Sequence, residues 1–186
     1  MYIEQISDIV SHLKRKYKED DPYSLAKAMG IKIIYEPMGT YEGACKGFYL
    51  FQSRVQIITI NSDLPSFIQM FILIHELGHS VLHRKSCGVK AFHEFTLFDE
   101  TSKMEYEANI FLAEFLMKDD DVLELLNEDM SFFNAAKELC VPPELLDFKF
   151  RVLKRKGYKV IDPPTNAKAN FLKNDLGGDT CEYEPC

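Results

Sequence analysis

The sequence predicts an α+β fold, in which a small, mostly antiparallel sheet from residues 31–61 packs against two helices, with further helices at both ends. Three observations support this fold class. Apolar residues recur at helical spacing in the first thirty residues and again after residue 102. β-Branched and aromatic residues are concentrated between the two helical regions. The apolar run FIQMFILI follows them directly, which is typical of a helix buried against a sheet.

The first elements follow from spacing and from turn residues. Asp21-Pro22 is a typical helix start and Gly30 a typical helix end. Only two residues, Gln52 and Ser53, separate two β-rich runs, which predicts a hairpin. The predicted elements are helices at 2–18 and 21–30, and strands at 31–35, 47–51 and 54–60.

A buried helix comes next, with Asp63 as its expected cap, Pro65 in its first turn and an end near His83. Residues 84–101 have no clear periodicity, and a second strong helix is predicted at 102–117. The remaining predicted helices are at 121–128, 131–139 and 143–156.

Composition excludes several classes of protein. With 46% hydrophobic and 27% charged residues, the 186-residue chain has the proportions of one globular domain. Its net charge of −7 argues against nucleic acid as the default partner. No signal peptide or membrane-spanning segment is predicted, since no apolar run approaches roughly 20 residues. Five widely spaced cysteines without a CxxC pair predict neither a disulfide framework nor a thiolate metal site, and they favour the cytoplasm.

The predicted buried helix carries the segment His75-Glu76-Leu77-Gly78-His79, which matches HExxH. On a helix, residues four apart share a face, so both imidazoles can bind one metal ion while Glu76 projects to the same side. Composition predicts only about 0.01 accidental matches in a chain of this length. The alternative, three polar residues on a buried helix without a metal, leaves costly unsatisfied groups. The motif therefore predicts a zinc site with Glu76 as general base for hydrolysis.

Zinc usually takes three protein ligands and a water, so the second helix is expected to supply a third ligand. Glu105 and Glu107 lie on nearly opposite faces of that helix. Glu107 shares the apolar stripe that should face the core, so we predict Glu107 as the ligand, with Glu105 as the alternative. His83 stands one turn beyond His79, and we predict a packing or hydrogen-bonding role for it. His93 is expected to be an exposed loop residue.

Three segments in this order resemble the ImmA/IrrE family of zinc metallopeptidases: YKEDDPYSLAKAMGIKIIYE, GFYLFQSRVQIITINSDLPSFIQMFILIHELGHSVLH and EYEANIFLAEFLM. The resemblance implies a zincin-like core and a zinc metalloendopeptidase, with His75, His79 and Glu107 as zinc ligands and Glu76 as the catalytic glutamate. It also implies a protein substrate such as a helix-turn-helix repressor, which the enzyme would cleave or inactivate as an antirepressor.

We expect one metallopeptidase domain at 1–162, with the metal site in 63–117 and a helical C-terminal support in 119–162. Residues 163–186 contain Gly-Gly, proline and few apolar residues, and are expected to form a flexible tail.

Two rival functions remain open. Residues 135–157 can be read as two helices joined by a short turn with a basic end, as in a DNA-binding regulator. A zinc protein can also sequester its partner without cutting it. A separate question concerns the strand at 54–60, which is either an exposed edge that pairs with an extended substrate or an ordinary interior strand.

Overall fold

The computed structural model describes residues 3–84, 92–94, 98, 102–127 and 130–161. The described helices are α1 (Ile3–Tyr17), α2 (Pro22–Ala28), α3 (Ser66–Leu82), α4 (Lys103–Leu116), α5 (Asp119–Asn127), α6 (Phe132–Glu138) and α7 (Pro143–Arg155). The described strands are β1 (Ile31–Glu36), β2 (Gly47–Gln52), β3 (Val55–Asn61) and β4 (Phe92–Glu94). The α+β prediction is confirmed. None of the helices described is both long and apolar enough to cross a membrane.

The four strands form one mixed sheet in the order β1-β3-β2-β4. β2 and β3 form the predicted antiparallel hairpin. β1 runs parallel to β3, and the connection at residues 37–46 and β2 lie between these two strands in the sequence. β4 pairs antiparallel with β2 at the other edge, and the sequence had not predicted it. β3 has neighbours on both sides, so the interpretation of residues 54–60 as an exposed edge strand is wrong.

α3 lies between the sheet and α4, and most of its side chains are buried. The close packing on the sheet requires Gly47, since a Cβ there would lie 2.5 Å from Ile72 Cγ2. The helix begins after Pro65, which occupies the N-cap position. Asp63, the predicted cap, instead accepts a hydrogen bond from the Gly39 backbone N–H at 2.7 Å, and so ties down the loop between β1 and β2.

α7 packs along α4 and α1, and its apolar side is buried. The buried apolar residues of α7 are Leu145, Leu146, Phe148, Phe150, Val152 and Leu153. This helix would have to be the recognition helix of a DNA-binding regulator, yet much of its surface is occupied by packing against α4 and α1. The predicted tail, residues 163–186, lies outside the described part of the chain.

A buried charge network joins α7 to the C-terminal end of α4. Lys149 is 1% exposed and donates hydrogen bonds to Glu114 and to Asp119, the latter at 2.6 Å. Lys156 contacts the same two carboxylates at 2.9 and 2.7 Å. The two positive charges of the lysines neutralise the two negative charges of the carboxylates. Removing one of these groups would leave an unpaired charge in a mostly buried place.

We predict that Lys149→Met destabilises the fold by about 3 kcal/mol, because it leaves Glu114 and Asp119 with one cation between them. The double variant Lys149→Met/Glu114→Leu restores the charge balance and should recover most of that loss. Urea unfolding of the three proteins measures both effects. A double variant no more stable than Lys149→Met would contradict the charge-balance explanation.

Candidate metal centre

α3 supplies the two histidines of the HExxH segment. His75 and Glu76 are fully buried and His79 is 1% exposed, because the helix is enclosed by the sheet on one side and α4 on the other. The two imidazoles are one turn apart and converge, with their Nε2 atoms 3.0 Å from each other. Neither nitrogen can be a satisfied partner of the other unless one carries a proton or a cation lies between them.

α4 brings a carboxylate to the same point. Glu105 Oε2 lies 3.1 Å from His75 Nε2 and 3.3 Å from His79 Nε2. Glu105 sits in the first turn of α4, where the Ser102 side chain caps the helix by accepting from the Glu105 N–H. The cap fixes where the helix begins and therefore where this carboxylate points.

The three atoms fit a single zinc ion. A tetrahedral site with zinc–nitrogen and zinc–oxygen bonds of about 2.0–2.2 Å separates neighbouring ligand atoms by about 3.3–3.6 Å, so ligand atoms slightly closer than this need to move apart by only a few tenths of an ångström. The observed triangle has edges of 3.0, 3.1 and 3.3 Å. Glu105 is 19% exposed on its side chain while both histidines are buried, so among these three side chains the carboxylate is the one that solvent reaches. Within the described residues this is the cluster whose donor atoms can hold a metal.

The protonation states suit metal ligation. Burial lowers the pKa of His79 to about 4, and a hydrogen bond to Glu105 only partly opposes this effect. Burial would raise the pKa of the Glu105 carboxyl, but its close contacts with the imidazoles of His75 and His79 outweigh burial and hold that pKa below its usual range. At neutral pH the site therefore presents a neutral His79 and an ionised carboxylate, which are the forms that bind divalent metals.

Asn109 orients His75 from the opposite side. Its Oδ1 lies 3.0 Å from His75 Nδ1, and both residues are fully buried. An amide oxygen only accepts hydrogen bonds, so Nδ1 carries the proton and the lone pair of Nε2 faces the cluster. Asn109 is one turn after Glu105 on α4, and the spacing of four residues between these two polar side chains is the sequence signal that could have identified both.

The structure does not bring Glu107, the predicted third ligand, to the two histidines. Glu107 is buried, as the apolar stripe predicted, but its Oε2 lies 2.9 Å from His83 Nε2. The Nδ1 atom of His83 lies 3.0 Å from the Nδ1 atom of His79, which confirms the hydrogen-bonding role predicted for His83. We had chosen Glu107 because it was expected to be buried. The carboxylate next to the two histidines is instead the partly exposed Glu105, at the edge of the core. His93 lies in β4 and pairs with Phe48 of β2, so the prediction that it is a loop residue is wrong; its side chain is outside the described part of the chain.

Gly78 sets the distance between the two helices of the site. A Cβ at this position would lie 3.2 Å from the Phe111 Cβ on α4, which is closer than ordinary packing allows. Because Phe111 Cβ is fixed to the backbone, a larger side chain must push α4 away from α3 and carry Glu105 with it.

We therefore predict that Gly78→Ala weakens zinc binding several-fold and lowers stability by about 1–3 kcal/mol, with a larger effect in Gly78→Val. Competition with a chromophoric chelator measures the zinc affinity, and thermal unfolding measures the stability. Unchanged zinc affinity in both variants would show that α4 does not move with residue 78.

Comparisons with known proteins agree with this geometry. The peptidase M78 family model, described as an IrrE N-terminal-like domain, matches residues 26–151, which include α3 and α4. The chain is also similar to a protein of Bacillus phage phi105 named uncharacterized immunity region protein 2, with 35% identity over 144 residues. That alignment covers 77% of this chain and 88% of the phage protein.

Proposed function

This chain belongs to the peptidase M78 family, the IrrE N-terminal-like proteins, and from that premise we propose that it is a zinc-dependent endopeptidase acting on a protein substrate. The observation that carries the proposal is the triangle of His75 Nε2, His79 Nε2 and Glu105 Oε2. We assign these three residues as the zinc ligands, which replaces the sequence-based choice of Glu107.

Zinc bound there would polarise a substrate carbonyl and make a water acidic near neutral pH. The residues of this chain then perform two tasks. Glu76 takes the proton of the attacking water as general base and delivers it to the leaving amine as the peptide bond breaks. Its burial on α3, next to His75 in the sequence and three residues before His79, supports this role.

The similar phage protein carries an immunity-region name, which favours a regulatory substrate. We propose a helix-turn-helix repressor, so that cleavage or inactivation of the repressor would switch on the genes it holds silent. This role as an antirepressor places the enzyme in the cytoplasm with its substrate.

Proteolysis is tested with zinc-loaded protein, a candidate helix-turn-helix repressor and a mixed peptide library, with products identified by mass spectrometry. We expect new peptide termini that disappear after a chelator removes the metal and return when zinc is added back. If zinc-loaded protein leaves both the repressor and the library intact, the endopeptidase proposal fails.

A further inference from the structure

Glu107 and His83 form a buried chain that ends on the metal-site residue His79. Glu107 Oε2 lies 2.9 Å from His83 Nε2, and His83 Nδ1 lies 3.0 Å from His79 Nδ1. All three residues are at most 6% exposed, and they connect the end of α3 to the first half of α4. Two buried polar residues aligned behind a third require an explanation, because burial of a carboxylate and an imidazole is costly.

The chemistry of the three groups sets the direction of each hydrogen bond. A carboxylate accepts, so His83 donates from Nε2 to Glu107. In that tautomer His83 Nδ1 is an acceptor, and the proton between the two rings belongs to His79 Nδ1. The remaining nitrogen of His79, Nε2, then directs its lone pair toward Glu105 and His75, which is the arrangement that a metal ion between them requires.

The opposite direction would disable the site. If His83 Nδ1 donated to His79 Nδ1, a neutral His79 would carry its proton on Nε2, at the atom that must bind metal. We infer that Glu107 and His83 are positioning residues that hold His79 in its Nδ1-protonated tautomer and orient it as a metal ligand. This inference rests on the proposed zinc site, and it gives a role to Glu107, which is not one of the proposed zinc ligands.

The two histidine ligands are therefore supported in different ways. His75 donates directly to a neutral amide, Asn109, whereas His79 donates through a second imidazole to a charged carboxylate. Residues that support a metal ligand in this way typically change metal affinity by about 10–100-fold when removed.

The first measurement is the tautomer of His79 in the metal-free variant His75→Ala/Glu105→Ala, read from ¹⁵N chemical shifts of labelled histidine. This variant removes the two acceptors that face His79 Nε2, so only the partners on the Nδ1 side remain. We expect protonation at Nδ1. Adding the double variant His83→Phe/Glu107→Met, which removes both remaining polar partners while keeping their shape, should give a mixture or the Nε2-protonated form. An Nε2-protonated His79 in His75→Ala/Glu105→Ala overturns the inference. Because no metal is present, this result is independent of the proposed peptidase function.

The second measurement is zinc affinity by chelator competition. We expect the double variant His83→Phe/Glu107→Met, with His75 and Glu105 intact, to bind zinc about 10–100-fold more weakly than the unaltered chain. Glu107→Gln is the matched control, because its amide oxygen still accepts from His83. That variant should keep the His79 tautomer and lose less affinity. Equal zinc affinity in the double variant and the unaltered chain overturns the positioning role. A chain that binds no zinc in any form contradicts the proposed function, while the tautomer result stands by itself.

Discussion

Replacing Glu76 by glutamine should abolish peptide hydrolysis while leaving zinc bound. Glutamine has nearly the shape of glutamate, so the buried helix and the two flanking histidines should be undisturbed. The amide cannot take a proton from water, and loss of a general base costs about 10²–10⁴ in rate. We expect kcat to fall by about that factor, measured on a substrate peptide found in the library. Zinc content and the thermal midpoint of both proteins serve as controls.

The same variant separates proteolysis from sequestration. If Glu76→Gln loses hydrolysis but still inactivates the repressor at equal concentration, the protein acts by binding its partner. If inactivation is lost together with hydrolysis while zinc content and partner binding are kept, cleavage is the mechanism.

Removing the Glu105 side chain should have a comparably large effect, on metal binding rather than on the chemical step. Glu105→Ala deletes one corner of the triangle and leaves two imidazoles 3.0 Å apart without their carboxylate. We expect zinc affinity to fall by at least about 10³-fold, and His75→Ala should behave alike. Elemental analysis after dialysis measures zinc per chain.

Glu107→Gln is the control for that experiment, since Glu107 lies two residues away on α4 and contacts His83 instead of the cluster. It should keep close to one zinc per chain after the same dialysis, despite its weaker binding. Loss of zinc in Glu107→Gln with retention in Glu105→Ala would restore the sequence-based assignment and contradict the structural one.

Local signals predicted most of the fold. The helix start at Asp21-Pro22 and the helix start near Ser102 are decided by neighbouring residues, and the structure confirms both. The predicted hairpin is also present, although its turn is at Ser53-Arg54, one residue later than the predicted Gln52-Ser53. The features that were missed depend on distant contacts. β4 is a three-residue strand that is recognised by its pairing with β2. Asp63 does not cap α3, because its carboxylate accepts a hydrogen bond from the Gly39 backbone N–H in a distant loop.

The site shows the same division. HExxH spacing was enough to place His75 and His79 together, because helix geometry alone brings residues four apart to one face. The carboxylate depended on how α4 crosses α3, which is set by the contact of Gly78 with Phe111 and is invisible to periodicity. Periodicity could predict that Glu107 is buried. It could not predict that the buried carboxylate would contact His83 and not the two histidines of HExxH.

Anomalous diffraction at the zinc absorption edge, from crystals of the zinc-loaded full chain, tests the assignment of the metal site most directly. We predict one strong peak about 2.0–2.2 Å from each of His75 Nε2, His79 Nε2 and Glu105 Oε2, with Glu107 still on His83. A peak coordinated by Glu107 or His83, or no peak between α3 and α4, would contradict the proposed site.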